Sequence, residues 1–249
     1  MPILIDSNVT VVRRPTPRLA CRRCYSDLLV GKILPTSKVA VNRQAQGGST
    51  ARQRHPRRDD DTASQILDVA ERLVQARGFN GFSYADVAAE LNLTKAALHY
   101  HFSGKADLGE ALISRYASRF ARALDALDQS AAEAPGKLAA YAALYLEILR
   151  NERMCLCGML AAEYQTLPEQ MRVSVVRFLD DNEAWLVRVL EEGSAAGTVV
   201  FSGSSNDTAR AIVGTLEGAM LVARPYGDIA RFQAAAKHLI AGLVAHGDS

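Results

Sequence analysis

Apolar residues recur at intervals of three and four along most of the chain after residue 58, which is the spacing of one face of an α-helix. The longest such stretches run from Lys105 to about Ala132 and from Pro168 to about Ala196. Strand-type alternation of apolar and polar residues is nearly absent, and Gly or Pro separates the helical stretches. The pattern therefore predicts an all-α fold of about nine helices, with three N-terminal helices followed by a larger helical domain.

Residues 83–105, SYADVAAELNLTKAALHYHFSGK, carry the most specific local signal in the chain. Ser83 with Asp86 three positions later is typical of a helix start in which side chains cap the first turn. Asn92 tolerates the left-handed backbone that a tight turn needs, and Thr94 can cap a second short helix. Two short helices joined by a turn of about three residues predict a helix-turn-helix.

The second of these helices has one side that suits DNA. Leu98 is expected to face the core, whereas Lys95 and His99 can donate hydrogen bonds to base edges or phosphates. The alternative is an ordinary pair of short helices in an all-α core, which has the same periodicity. The predicted DNA-contacting residues are Ser83, Tyr84, Thr94, Lys95, Ala96, Ala97, His99, Tyr100 and Lys105.

Residues 81–108, GFSYADVAAELNLTKAALHYHFSGKADL, resemble the DNA-binding domain of the TetR family of bacterial transcriptional regulators. The matching elements are Gly78-Phe79, Val87-Ala88, Leu91-Asn92-Leu93, Leu98-His99-Tyr100-His101-Phe102 and Lys105. Two positions depart from the family pattern, which often has Gly where this chain has Ala96 and Tyr where it has His99. Because His99 stands where the family often contacts DNA, the preferred operator sequence does not follow from the resemblance.

The resemblance implies a division of labour along the chain. Residues 59–107 would form the DNA-binding domain, and residues 108–249 would bind an effector and dimerise. The expected function is sequence-specific transcriptional regulation in the cytoplasm by a ligand-responsive repressor that binds a palindromic operator as a homodimer. No cofactor is expected. A shift of the helix that begins at Lys105 would change the distance between the two recognition helices of a dimer, and half-sites one helical turn apart demand a fixed distance.

The resemblance also implies an effector pocket and a dimer interface in the larger domain. Aromatic and Met residues are the pocket candidates, with burial in the core as the alternative: Tyr116, Tyr145, Met159, Tyr164, Phe178 and Trp185. The last two helices are expected to pair with their symmetry mates, again with plain core packing as the alternative. The candidate interface residues are Leu216, Met220, Phe232, Ala236, Leu239 and Leu243.

The four cysteines form two close pairs, Cys21 with Cys24 and Cys155 with Cys157. A lone CxxC supplies two of the four ligands that a structural zinc site needs, so no metal is expected. Cys155 and Cys157 suggest a second hypothesis, a regulator that senses electrophiles or oxidants through a thiolate at a helix start. The alternative is that both are small packing residues.

Charge separates the first 58 residues from the remainder. Residues 1–58 hold 12 Lys and Arg against 2 Asp and Glu, whereas residues 59–249 hold 17 against 25. We interpret the first segment as a disordered basic extension that attracts phosphate, or as the product of a start codon assigned too early. The folded part is acidic, so positive charge must be concentrated near the second helix of the helix-turn-helix if the chain binds DNA.

Other classes of function have little support in the sequence. No stretch approaches 18 uninterrupted apolar residues, so no membrane span is predicted. A Gly-rich phosphate loop, a nucleophile elbow and an HExxH motif are absent from the sequence, which argues against an enzyme. A helical module for protein contacts remains as an alternative of another class, and a defined operator would argue against it.

Overall fold

The structure is a computed structural model that describes residues 56–130 and 132–245. Residues 1–55, with Cys21 and Cys24, lie outside the described residues, so the predictions for this segment are not tested. Among the described residues, no helix is long and apolar enough to cross a membrane.

Nine α-helices and two single-turn 3₁₀ helices make up the described part of the chain, which confirms the predicted all-α class. The α-helices are α1 (Pro56–Arg77), α2 (Tyr84–Leu91), α3 (Lys95–His101), α4 (Lys105–Asp128), α5 (Ala134–Arg150), α6 (Leu156–Ala162), α7 (Glu169–Ala195), α8 (Ser205–Ala223) and α9 (Ile229–Ala241). The 3₁₀ helices are Tyr164–Thr166 and Arg224–Tyr226. An isolated antiparallel bridge joins Val199 to Val244.

Helices α1 to α3 form an N-terminal head around a small apolar core. The long helix α1 supplies the buried Ile66 and Leu73, α2 supplies Val87, and α3 supplies Leu98, which is fully buried. Helix α4 leaves the head and continues into the body, where it packs on α7. In the body α8 packs on α7 and α9, and α5 packs on α7 and α9. The apolar faces predicted from periodicity are therefore covered by neighbouring helices.

A buried carboxylate ties α1 to α4. Glu71 of α1 is almost completely buried and accepts hydrogen bonds from Arg115, at 2.9 Å, and from Arg119, both in α4. Arg115 also reaches Asp68 one turn earlier, at 2.8 Å. Hydrogen bonds to Glu71 and its negative charge raise the pKa of Arg119 against the opposing effect of burial. Helix α1 of the head is thus fixed to the middle of α4 through charges that compensate one another.

Five of the six predicted dimer residues lie in the core of the protomer. Leu216 and Met220 of α8 and Phe232 of α9 are almost fully buried inside one protomer, as are Ala236 and Leu243, and Leu239 is half-buried. This burial fits the core packing that was given as the alternative, and a role of these residues in a dimer stays a prediction. The apolar stripe on each helix faces the protomer's core, and the periodicity could not show which neighbour would cover it.

Candidate nucleic-acid interface

The two helices of the helix-turn-helix are capped at the start and end of α2 and at the start of α3. At the start of α2, the Ser83 amide and hydroxyl both donate to the Asp86 carboxylate at 2.7 Å, and these bonds lower the pKa of Asp86. Asn92 ends α2 in the left-handed conformation with φ of 54°. Thr94 then caps α3 by accepting a hydrogen bond from the Ala97 amide at 3.2 Å. These caps and the left-handed Asn92 therefore fix the angle between α2 and α3.

Helix α3 turns one side to the core and the other to solvent. Leu98 is buried, whereas Tyr100 keeps 58% of its surface exposed. The outer side combines a cation, two rings and small side chains, which is the composition that a major groove accepts. Five of the predicted DNA-contacting residues are exposed here and Ala97 is half-buried beside them: Thr94, Lys95, Ala96, His99 and Tyr100.

Three other predicted DNA-contacting residues have partners inside the head. Ser83 is committed to Asp86, as described above. The Tyr84 hydroxyl donates to the Phe102 carbonyl at 3.0 Å, and burial followed by the charge of Asp107 raises the pKa of Tyr84 to about 12. The Lys105 ammonium donates to the Phe82 carbonyl at 2.5 Å. These side chains brace the head, and their predicted contacts with DNA stay a prediction.

Lys105 is held between two rings as well as by a carbonyl. Its ammonium lies 4.6 Å from the centre of the Phe79 ring and 4.4 Å from that of Phe82. Burial lowers the pKa of Lys105, while the nearby carboxylates of Glu163 and Asp86 act in the opposite direction. A cation in this position joins α4 to the α1–α2 loop, and no local pattern predicts these contacts.

Glu163, which follows α6, holds the same loop from the side of the body. Its carboxylate accepts hydrogen bonds from the Phe79 amide at 2.5 Å and the Asn80 amide at 3.3 Å. Gly78 has φ of +82°, and a Cβ there would lie 2.6 Å from Glu163 Oε1, so the loop and the carboxylate fit closely. A further bond joins the Asn80 amide side chain to the Thr166 hydroxyl at 2.7 Å. Sequence reasoning missed this junction because its partners lie more than 80 residues apart.

Four of the predicted pocket residues meet in the body. Tyr116, Tyr145 and Phe178 surround Phe120, with ring centres 5.3 to 6.2 Å from it. Trp185 stacks on Tyr141 at 5.5 Å and donates to Asp128 at 3.0 Å. The rings pack directly against one another, so the cluster is a core as it stands. An open apolar groove lies elsewhere, between α5 and α9, and includes Phe232 and Ala236.

The other two predicted pocket residues lie away from this cluster. Met159 of α6 is half-buried, and its sulfur is 3.5 Å from the Arg224 guanidinium. The ring of Tyr164 is 5.9 Å from the Arg172 guanidinium. Arg224 also donates to the Ala76 carbonyl of α1. Met159 and Tyr164 therefore border the junction between head and body and do not join the aromatic cluster.

Cys155 and Cys157 are both fully buried. Cys155 begins α6 and accepts a hydrogen bond from the Tyr116 hydroxyl at 3.5 Å. Burial, reinforced by the negative charge of Glu217, raises the pKa of both thiols well above the usual range. A thiol that stays protonated out of contact with solvent is a poor nucleophile. The geometry favours the packing role over the sensing hypothesis.

Glu217 of α8 is an acid in an apolar setting. Its carboxylate lies against the Cα atom of Gly158, and its Oε1 atom is buried without a hydrogen-bond partner among the described residues. Burial raises the pKa of Glu217 to about 7, with a hydrogen bond from Cys155 acting in the opposite direction. A sequence signal existed, since Glu217 stands between Val213 and Met220 on the apolar side of α8.

Comparison with known proteins gives the same assignment for both parts of the chain. Residues 66–112 match the family model described as bacterial regulatory proteins of the tetR family, and residues 134–239 match that of the tetracyclin repressor-like C-terminal domain. A TetR-family regulator from Agrobacterium tumefaciens is 31% identical, with a TM-score of 0.73 over 75% of this chain and 100% of that chain. One from Legionella pneumophila is 32% identical, with a TM-score of 0.68 over 73% of this chain and 97% of that chain.

A curated relative extends the comparison. The transcriptional regulator AcuR of Cereibacter sphaeroides is 26% identical over 152 residues, which are 59% of this chain and 69% of that protein. The fold and the exposed helix α3 define a DNA-binding transcriptional regulator of the helix-turn-helix class. The chain belongs to the TetR family of bacterial transcriptional regulators, whose members are not enzymes.

Proposed function

We propose that this chain is a ligand-responsive repressor that binds a palindromic operator as a homodimer in the cytoplasm, where the bacterial chromosome lies. The observation that carries the proposal is the rigidly capped helix α3, which exposes Lys95, His99 and Tyr100 while Leu98 anchors it to the head. Such a surface can enter a major groove, with the start of α3 fixed by the Thr94 cap.

The body supplies a route by which an effector could act on the head. We propose that a small molecule opens the aromatic cluster around Phe120, which is formed by α4, α5 and α7. Any displacement of α4 would be transmitted to the head, because Glu71 is bonded to Arg115 and Arg119. A displacement of α6 would reach the α1–α2 loop through Glu163. Two recognition helices of a dimer would then lose the spacing that the operator requires.

The outer side of α8 is the surface that we propose for the homodimer. Leu221 and Val222 are 58% and 57% exposed, and Gly214 and Gly218 have open space where a Cβ would stand. Small residues one turn apart allow the helix of a second copy to approach closely, and the exposed aliphatic side chains supply apolar area. The face comprises Ala211, Gly214, Thr215, Gly218, Leu221 and Val222.

The DNA-binding proposal is tested by a mobility shift on DNA from upstream of the chain's own gene, in excess non-specific DNA. Lys95→Ala and Tyr100→Ala are expected to weaken the specific complex about tenfold each, because each removes one contact of ~1–3 kcal/mol. Arg177→Ala is a matched control on the exposed surface of α7 and should bind like the wild type. If the upstream DNA gives no specific shift and selection from randomised DNA yields no preferred sequence, the proposal is wrong.

The dimer face leads to a separate prediction. Gly218→Arg is expected to convert the dimer to a monomer, because a long charged side chain would project into the interface, while the protomer has room for it. Light scattering after size exclusion measures the mass, and operator affinity should fall with it. Val173→Arg places the same charge on an exposed part of α7 and should stay dimeric. A Gly218→Arg protein that remains a dimer would exclude this face.

A further inference from the structure

The ring of His99 is held in one orientation by two contacts within the head. Its Nδ1 atom lies 3.0 Å from the Ser103 carbonyl oxygen, and its ring centre lies 4.8 Å from that of Tyr84. Tyr84 is itself fixed by its bond to the Phe102 carbonyl. The imidazole is therefore positioned before any DNA arrives, although the residue remains exposed.

The Ser103 contact settles which nitrogen carries the proton. A carbonyl oxygen only accepts, so Nδ1 must be the donor, and in the neutral ring Nε2 is then left as an acceptor. Lys95, one turn earlier on α3, can only donate. The outer side of α3 thus presents a donor, Lys95, and an acceptor, His99. In a major groove an acceptor can bond only certain base edges. It can bond the exocyclic amino group of adenine or cytosine, and it repels the N7 and O6 acceptors of guanine.

We propose that His99 is a specificity-determining residue that accepts a hydrogen bond through Nε2 from the amino group of an adenine or a cytosine in the operator. The proposal rests on the proposed function, since it requires α3 to lie in a major groove.

The test is selection of the full chain on randomised DNA at pH 8, followed by anisotropy titrations of the selected site with each base pair exchanged in turn. His99→Phe is the informative variant, because it keeps a ring on Tyr84 and removes both nitrogens. The wild type should prefer an adenine or cytosine amino group at one pair per half-site by about fivefold to tenfold. His99→Phe should lose that preference at that pair only.

Other results would overturn the inference. One is a base preference that His99→Phe retains; another is a uniform fall in affinity for every sequence, which would mark a phosphate contact. If the wild type selects no sequence at all, the proposed function fails; if it selects one that is indifferent to His99, only this inference fails.

Discussion

Glu163→Ala is expected to lower the free energy of unfolding by about 2 kcal/mol, because a charged acceptor of two backbone amides is removed. The Phe79 and Asn80 amides would lose their carboxylate partner, and Lys105 would lose a nearby negative charge. The α1–α2 loop would also lose its bond to the body, so the head should sample orientations in which α3 no longer fits the operator. Denaturant unfolding and operator titration measure the two effects.

Two variants serve as controls for Glu163→Ala. Glu163→Gln keeps an acceptor oxygen of nearly the same shape and should retain part of the stability. Glu169→Ala removes an exposed carboxylate whose contact with Arg172 is a surface ion pair, and it should change the stability by less than about 0.5 kcal/mol. If Glu163→Ala is as stable as Glu169→Ala and binds DNA normally, Glu163 does not hold the head.

The helices of the head could be predicted because the sequence signals that start and end them are local. Ser83, Asn92 and Thr94 fix the ends of α2 and α3 through bonds to residues three or four positions away, and such bonds are encoded in short stretches of sequence. Leu98 as the anchor followed from the period of the helix. The exposed side of α3 followed from the same period, since the residues opposite a buried anchor must face solvent.

The orientation of Lys105 and the role of Glu163 could not be predicted, because both depend on distant partners. Lys105 at the start of a helix suggests a phosphate contact. In the folded chain its ammonium contacts the rings of Phe79 and Phe82 and the Phe82 carbonyl. Glu163 meets its amide partners only after the body folds against the head. Neither contact leaves a periodic or spacing pattern in the sequence.

The dimer face illustrates a different limit. Leu216 and Met220 were chosen because they form the apolar stripe of α8, and they lie in the protomer core. The exposed face of α8 contains Gly214 and Gly218. Glycine adds little to a hydrophobic stripe, so periodicity does not identify this face. A helix in contact with both its own core and a second copy has two covered sides, and a single apolar stripe identifies only the more hydrophobic one.

Glu217→Gln is expected to make the protein more stable at pH 8, by up to about 3 kcal/mol, because it removes a carboxylate that folding buries. The folded pKa of Glu217 is raised from 4.5 to about 7. Below pH 4.5 the carboxyl is protonated in both states and its burial has no ionisation cost. Between pH 4.5 and 7 the folded protein holds the proton that the unfolded chain has released, so the contribution to stability falls as the pH rises. Above pH 7 the loss is complete.

The gain from Glu217→Gln should therefore be large at pH 8 and vanish near pH 4.5, and thermal unfolding across this range measures it. Asp180→Asn, at an exposed position on α7, removes a charge without releasing a buried one and should show no such dependence. A gain that is equal at both pH values would mean that packing against Gly158 is responsible and that the buried charge is not. A pH-dependent gain would show that the chain keeps a destabilising carboxylate where α8, the proposed dimer helix, meets α6, the helix that leads to Glu163.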